Sequence, residues 1–315
     1  MNNPKYLVIA TIILWSFGPL LTRLISISSQ LLSLDILFFF TLIFFLIVTL
    51  LHYKSAFPGK LKRITFAFLF FGLFGYFFYY LGLVQSFHLF NSASEPAILN
   101  YTFPLFTVLF TEIWFGRKIK RTKEIRAVEY IGVLVGFLAV VFLATKGNIA
   151  SLQITNLSAI LWVLSAGISY AVFSVYSSSI KAEDQDIFLL AGIFSSLLLA
   201  FIISFQEFSA LQTVTPTAFI ANAILALIIN GFGYLAWTKA NRLAKEKNIS
   251  ISSIASLLFI LPVLGLVIVS VTLHETVLLQ RYFLISLLGI IVSSLLCQKS
   301  VAIVSFIKRF TIIAL

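Results

Sequence analysis

The chain predicts an all-α polytopic membrane protein, with ten transmembrane helices arranged as two inverted five-helix repeats and both termini cytoplasmic. Three observations lead there. Of the 315 residues, 60% are hydrophobic and only 10% charged, against about 25% charged in soluble domains. Apolar runs of about 20 residues, the length that crosses a hydrocarbon core, recur along the whole chain. Short motifs of the first half return in the same order in the second.

The runs fall at approximately 6–25, 32–51, 64–84, 92–114, 127–145, 157–179, 187–206, 218–238, 250–272 and 281–298, with short connections. MNNPKY leads straight into the first of them without a small-residue cleavage site, so it reads as an uncleaved helix. No polar stretch leaves room for a soluble domain. The expected units are 1–146 and 147–298, one repeat each, and an apolar tail at 299–315 that carries Lys308 and Arg309 and could lie on the membrane surface.

The net charge of +11 would suit a nucleic-acid partner, but the basic residues sit in alternate connections between spans. With the N-terminus inside, only Arg23, Lys146 and Arg281 of the 22 Lys and Arg fall outside. That asymmetry orients membrane proteins, so a lipid bilayer is the expected partner and nucleic acid is not. The single cysteine, Cys297, excludes an intrachain disulfide and a cysteine-based metal site, and the three histidines are scattered. No phosphate-binding G-x-x-x-x-G-K-[ST] loop and no H-E-x-x-H pattern occurs. Neither enzyme activity, a cofactor nor a metal is expected.

The repeat is carried by several matches. Phe74-Gly75-Tyr76 returns as Phe232-Gly233-Tyr234, and the same offset takes Tyr79 to Trp237, Ser94 to Ser252 and Pro104 to Pro262. Leu14-Trp15 returns as Leu161-Trp162, and Ile131-Gly132 as Leu288-Gly289. A duplicated unit of five spans reverses its orientation, as in secondary transporters that bind substrate near the midplane between the halves.

The stretch 91–117 stands out because it places Glu95, Pro96, Asn100, Tyr101, Pro104 and Glu112 in or beside an apolar span. Such groups are costly in lipid and mark a bundle interior or a cavity. Glu95 either complements the start of its helix or sits at a cavity mouth, where it would bind an amine or titrate a proton. Asn100 either contacts substrate or satisfies the carbonyl freed by Pro104. Their counterparts, Ser253 and Leu258, are less polar, so a site should lean toward the fourth span. Glu112 reads as an ion-pair partner of the basic loop that follows it, and Asp35 and Arg23 as interfacial.

Tyr76, Tyr79 and Tyr80 share one face of the third span, flanked by Gly72, Gly75 and Gly82, which allow close helix approach. Tyr76 and Tyr79 are cavity candidates, while Tyr80 is assigned to packing. Asn230, Tyr234 and Trp237 share a face of the eighth span, which either faces the cavity, the reading preferred, or bonds within the bundle. Trp15 and Trp162, away from the interfacial belt, are open between repeat-interface packing and substrate contact. Pro104 and Pro262 are expected to kink or break their helices.

These features together resemble the drug/metabolite transporter superfamily in its ten-helix EamA-type branch. The resemblance covers nearly the whole chain and rests on Leu14-Trp15-Ser16, the prolines of the fourth and ninth spans, and Ser158–Ser178. The run from Glu95 through Asn100-Tyr101 to Pro104 is similar to the fourth helix of bacterial aromatic amino-acid exporters, and Gly233-Tyr234-Leu-Ala-Trp237 to their eighth. The chain departs from the branch in reading Gly116-Arg117 where Gly-Glu is common. The resemblance implies alternating access through a cavity lined by helices 1, 3, 4, 6, 8 and 9, and Tyr170 in the sixth joins the candidates.

The expected function is a secondary transporter of the inner or plasma membrane, a monomer or weak homodimer. It would export or exchange small amphipathic metabolites, amino acids and aromatic ones first. The alternatives are a multidrug or quaternary-amine exporter using Glu95, and an intramembrane enzyme or scaffold subunit.

Overall fold

The protein is an all-α polytopic membrane protein. A computed structural model describes residues 3–25, 27, 29–90, 96, 99–115, 122–151, 156–273 and 280–313. In lipid a backbone must satisfy its own hydrogen bonds, and a helix does so within one segment. Among the described residues nine helices are long and apolar enough to cross a membrane: α1 (Pro4–Thr22), α2 (Gln30–Leu61), α3 (Phe66–Leu89), α5 (Lys123–Ala144), α6 (Leu157–Ser177), α7 (Ala182–Thr213), α8 (Pro216–Glu246), α9 (Ile251–Thr272) and α10 (Arg281–Gln298). Between α3 and α5 lies the shorter apolar α4 (Phe103–Trp114), and α11 (Ser300–Ile313) forms the tail.

Most of these helices begin at residues chosen for it. Asn3, Ser29, Thr65, Thr122, Asn156 and Thr215 each accept a first-turn backbone N–H, at 3.0 to 3.4 Å. Such a side chain supplies an acceptor for donors that have no partner within the helix. Pro4 and Pro216 follow their caps directly, where a missing N–H costs nothing.

The most extensive helix contacts all join a helix before residue 147 to one after it: α5 with α10, α2 with α7, α3 with α6 and α7, α4 with α6, and α1 with α8. The core therefore lies between the two halves of the chain. Glycines set the closest approaches. A Cβ on Gly72 would lie 2.1 Å from the Gly192 Cα, and one on Gly82 2.7 Å from the Trp162 carbonyl oxygen.

Both proline-bearing segments are broken. A turn at Tyr101 and Thr102 precedes α4 and Pro104, and α9 tightens to a 3-10 helix at Ser256–Ile260 just before Pro262. Two further helices widen to π-helix, α3 at Phe74–Phe78 and α8 at Ala226–Gly233. These overlap at the repeated Phe-Gly-Tyr motif. Such turns concentrate at functional positions.

The two ends of the bundle differ. At the basic end, Lys5 donates to Gln298, Arg63 pairs with Asp184 at 2.5 Å, and Arg126 pairs with Glu112 at 3.3 Å. There the buried Glu129 accepts from Ser250 at 2.8 Å, Ser252 at 2.6 Å and Ser300 at 3.1 Å, which ties α5, α9 and α11 together. At the opposite, mouth end, Ser29 donates to Glu207, and Ser204 donates to Asp35.

Candidate substrate cavity

A cavity of about 680 Å³ lies among α1, α2, α3, α4, α6 and α8 and reaches Leu261 of α9. Gln30, Thr22 and Phe87, all exposed, stand at its mouth; Tyr170 and Tyr234, both buried, form its floor. Its size falls in the range of small-molecule sites, about 300–1,000 Å³. None of the described lining residues is charged. Its apolar walls are Leu, Ile, Val and Phe side chains; its polarity comes from tyrosine hydroxyls, amides and the Ser33 and Thr22 hydroxyls.

Of the residues singled out in the sequence, Trp15, Tyr79, Asn100, Tyr101, Tyr170 and Tyr234 line this cavity. The Asn100 amide N–H donates to the Tyr79 hydroxyl at 3.2 Å. Its carbonyl oxygen, Oδ1, is buried and meets no donor among the described residues. An acceptor left bare in this way costs about 1–3 kcal/mol. Pro104, one turn on, sits at the start of α4, and the Asn100 amide is aimed at Tyr79 rather than at the backbone.

The floor is an aromatic stack that closes the path to the basic end. Trp15 contacts Tyr170, Tyr234 and Trp237 with ring centroids 5.8, 6.0 and 6.1 Å apart. Beneath, Tyr76 stacks on Tyr234 at 4.7 Å. Trp237 donates its indole N–H to Ser174 at 2.9 Å. Tyr76 and Trp237 are thus buried under the floor instead of lining the cavity.

Two floor residues also serve the widened turns. The Tyr234 hydroxyl donates to the Gly75 carbonyl at 2.7 Å, inside the π-turn of α3. The Trp15 indole donates to the Ile229 carbonyl at 3.0 Å, inside that of α8. A π-turn displaces carbonyls from their usual partners, and each finds one on a helix from the other half of the chain. Glycine is needed beside both bonds: a Cβ on Gly233 would lie 2.2 Å from the Trp15 indole nitrogen, and one on Gly75 2.3 Å from the Phe173 ring.

Other assignments from the sequence read differently in three dimensions. Trp162 is 37% exposed on the outside of α6 and does not line the cavity. Asn230 lies behind the wall, where it accepts from Tyr80 at 2.6 Å and donates to Thr41 at 3.4 Å. Tyr80, assigned to packing, lines the cavity. Periodicity put all three tyrosines of α3 on one face, but the π-turn at Phe74–Phe78 rotates Tyr79 and Tyr80 relative to Tyr76. Gln30, Ser33 and Asn222 at the mouth escaped notice, because single polar residues at helix ends carry no distinctive pattern. Glu95 and the loop 116–121 lie outside the described residues.

This arrangement is a known fold. A solved structure described only as "Crystal structure of protein" matches with a TM-score of 0.73, covering 93% of this chain and 95% of that one at 16% identity. At that identity the likeness speaks for the fold alone. No protein-family model matches the chain, and no curated protein matches it.

Proposed function

We propose that the chain is a secondary transporter of the drug/metabolite transporter superfamily, in the inner or plasma membrane. It carries small, aromatic-bearing, uncharged or zwitterionic metabolites, amino acids first among them, by alternating access. The observation that carries this reading is the cavity itself, open at one end, closed by an aromatic floor at the other, and walled by tyrosines and amides with no charge among the described lining residues.

The architecture in this reading has ten spans, with α4 as the fourth, in two inverted repeats at 1–146 and 147–298. The contacts support it. Exchanging each helix of α1 to α5 for the one five places later turns α1–α8 into α6–α3 and leaves α2–α7 and α5–α10 unchanged, and all of these pairs are extensive. The basic end is cytoplasmic by its charge, both termini lie there, and the cavity opens to the outside. Rocking of the halves would part the Glu129–serine contacts and the aromatic floor while the mouth closes. The π-turns and the breaks at Pro104 and Pro262 supply the joints.

Counterflow of labelled phenylalanine, tyrosine and tryptophan in proteoliposomes tests this, with other amino acids and nucleobases as the wider panel. Asn100→Leu should raise KM by about 2- to 10-fold, the worth of one neutral hydrogen bond. No transport of any of these compounds in either direction would overturn the reading. A quaternary-amine exporter is the second reading; it requires a cation-binding Glu95, and Glu95→Gln would then abolish cation transport alone.

A further inference from the structure

We propose that Asp35 and Glu207, on α2 and α7, form a proton-binding site at the mouth end that couples transport to the pH gradient. The inference rests on the transporter reading above.

Asp35 lies in the second turn of α2 and is only 5% exposed. Its Oδ2 accepts from the Ser204 hydroxyl, but its Oδ1 is buried and has no donor among the described residues. No ion pair reaches it among those residues. The carboxylate whose charge acts on it is that of Glu207, half-buried in the 3-10 turn that ends α7, whose Oε2 accepts from Ser29.

The contrast with Glu129 is instructive. That buried carboxylate receives three serine hydroxyls, shared over both oxygens. Asp35 receives one, beside a second negative charge. A proton on Oδ1 supplies the missing hydrogen and removes the repulsion from Glu207.

Other titratable groups on the packed elements are placed elsewhere. Asp186 of α7 is held by His52 at the basic end, 2.5 Å away. Tyr80 of α3 donates to Asn230, and His88 of α3 is exposed beyond it. The Pro216–Gly233 part of α8 carries no acid, base or tyrosine.

The pair is well placed to report on the cavity without lining it. Ser33, Leu34 and Leu37, on either side of Asp35 along α2, form part of the cavity wall. The bonds Ser204–Asp35 and Ser29–Glu207 hold α2 against α7 at the mouth. Loading a proton there changes both bonds and the charge between the helices, so it shifts the wall in which substrate sits.

The test uses the full chain in proteoliposomes under an imposed pH gradient, a sodium gradient, or neither. Wild type should concentrate substrate with the pH gradient alone. Asp35→Asn should lose that concentration but keep counterflow at equal pH. Glu207→Gln, should the first variant fail to fold, should move the pH midpoint of transport downward, because it removes the charge that favours the proton. Infrared spectra should show a protonated-carboxyl band in wild type that titrates and is missing in Asp35→Asn. Retention of pH-driven transport and of that band in Asp35→Asn would overturn the proposal, as would a response to sodium instead of pH. Counterflow indifferent to both gradients refutes this site and spares the transporter, whereas absence of all counterflow refutes the transporter and leaves the infrared band to decide the proton site.

Discussion

Tyr234 in the floor of the cavity and Tyr76 beneath it stack face to face at 4.7 Å, both fully buried, yet their hydroxyls differ. Tyr234 donates to the Gly75 carbonyl at 2.7 Å, and the Tyr76 hydroxyl has no partner among the described residues. Phenylalanine keeps either ring and deletes only the oxygen. In Tyr234→Phe the Gly75 carbonyl of the π-turn loses its donor in an apolar interior, a loss of about 1–2 kcal/mol when hydrogen bonds between membrane helices are the guide. In Tyr76→Phe a buried hydroxyl without a partner disappears, and removing it is worth up to about 1–3 kcal/mol in the opposite direction. Thermal unfolding of the purified protein in detergent reads both. For a chain of this size a kcal/mol moves Tm by about 2 °C, so Tyr234→Phe should lower Tm and Tyr76→Phe should hold or raise it. Tyr234→Phe should also alter counterflow, because it loosens the joint of α3. Shifts of the same sign and size in the two variants would refute the reasoning, since the rings are near-equivalent and only the hydroxyl environment separates them.

Further outcomes follow from other contacts. Gly72→Ala should destabilise by about 1–3 kcal/mol, the usual cost of overpacking, because its Cβ would lie 2.1 Å from the Gly192 Cα. Gly59→Ala, with open space around it, is the control and should leave Tm unchanged. Glu129→Ala strips the acceptor from Ser250, Ser252 and Ser300; it should raise labelling of a cysteine introduced near the floor from the basic side, as the closed end loosens. Ser174→Ala leaves the buried Trp237 indole without an acceptor and should cost about 1–3 kcal/mol in thermal stability, a loss that Ser174→Thr should largely avoid.

Much of the fold was legible in the sequence. Span positions follow from hydropathy, because a lipid-crossing helix must be apolar over its whole length. The value of Gly72 and Gly82 was legible too, since small residues beside apolar neighbours invite close packing. The site was half legible. Asn100 and Tyr101 stood out because an amide beside proline in an apolar run is costly without a purpose. Trp162 misled: it was paired with Trp15 by a two-residue match, Leu14-Trp15 with Leu161-Trp162, but Trp15 lines the cavity while Trp162 is 37% exposed on the outside of α6, and a short match in sequence does not fix which way a side chain faces.

What the sequence determined by itself is the class of solvent the chain lives in, the approximate course of its helices and the asymmetry of charge between its ends. These are one-dimensional properties, fixed by composition and order. Tertiary structure alone decided which face of each helix meets the cavity, because two π-turns rotate everything beyond them by an amount that no 3.6-residue pattern records. It decided as well that Asn100 Oδ1 and Asp35 Oδ1 are buried short of a donor among the described residues. Those facts depend on what neighbouring helices fail to provide, and a missing partner leaves no trace in the residue that lacks it.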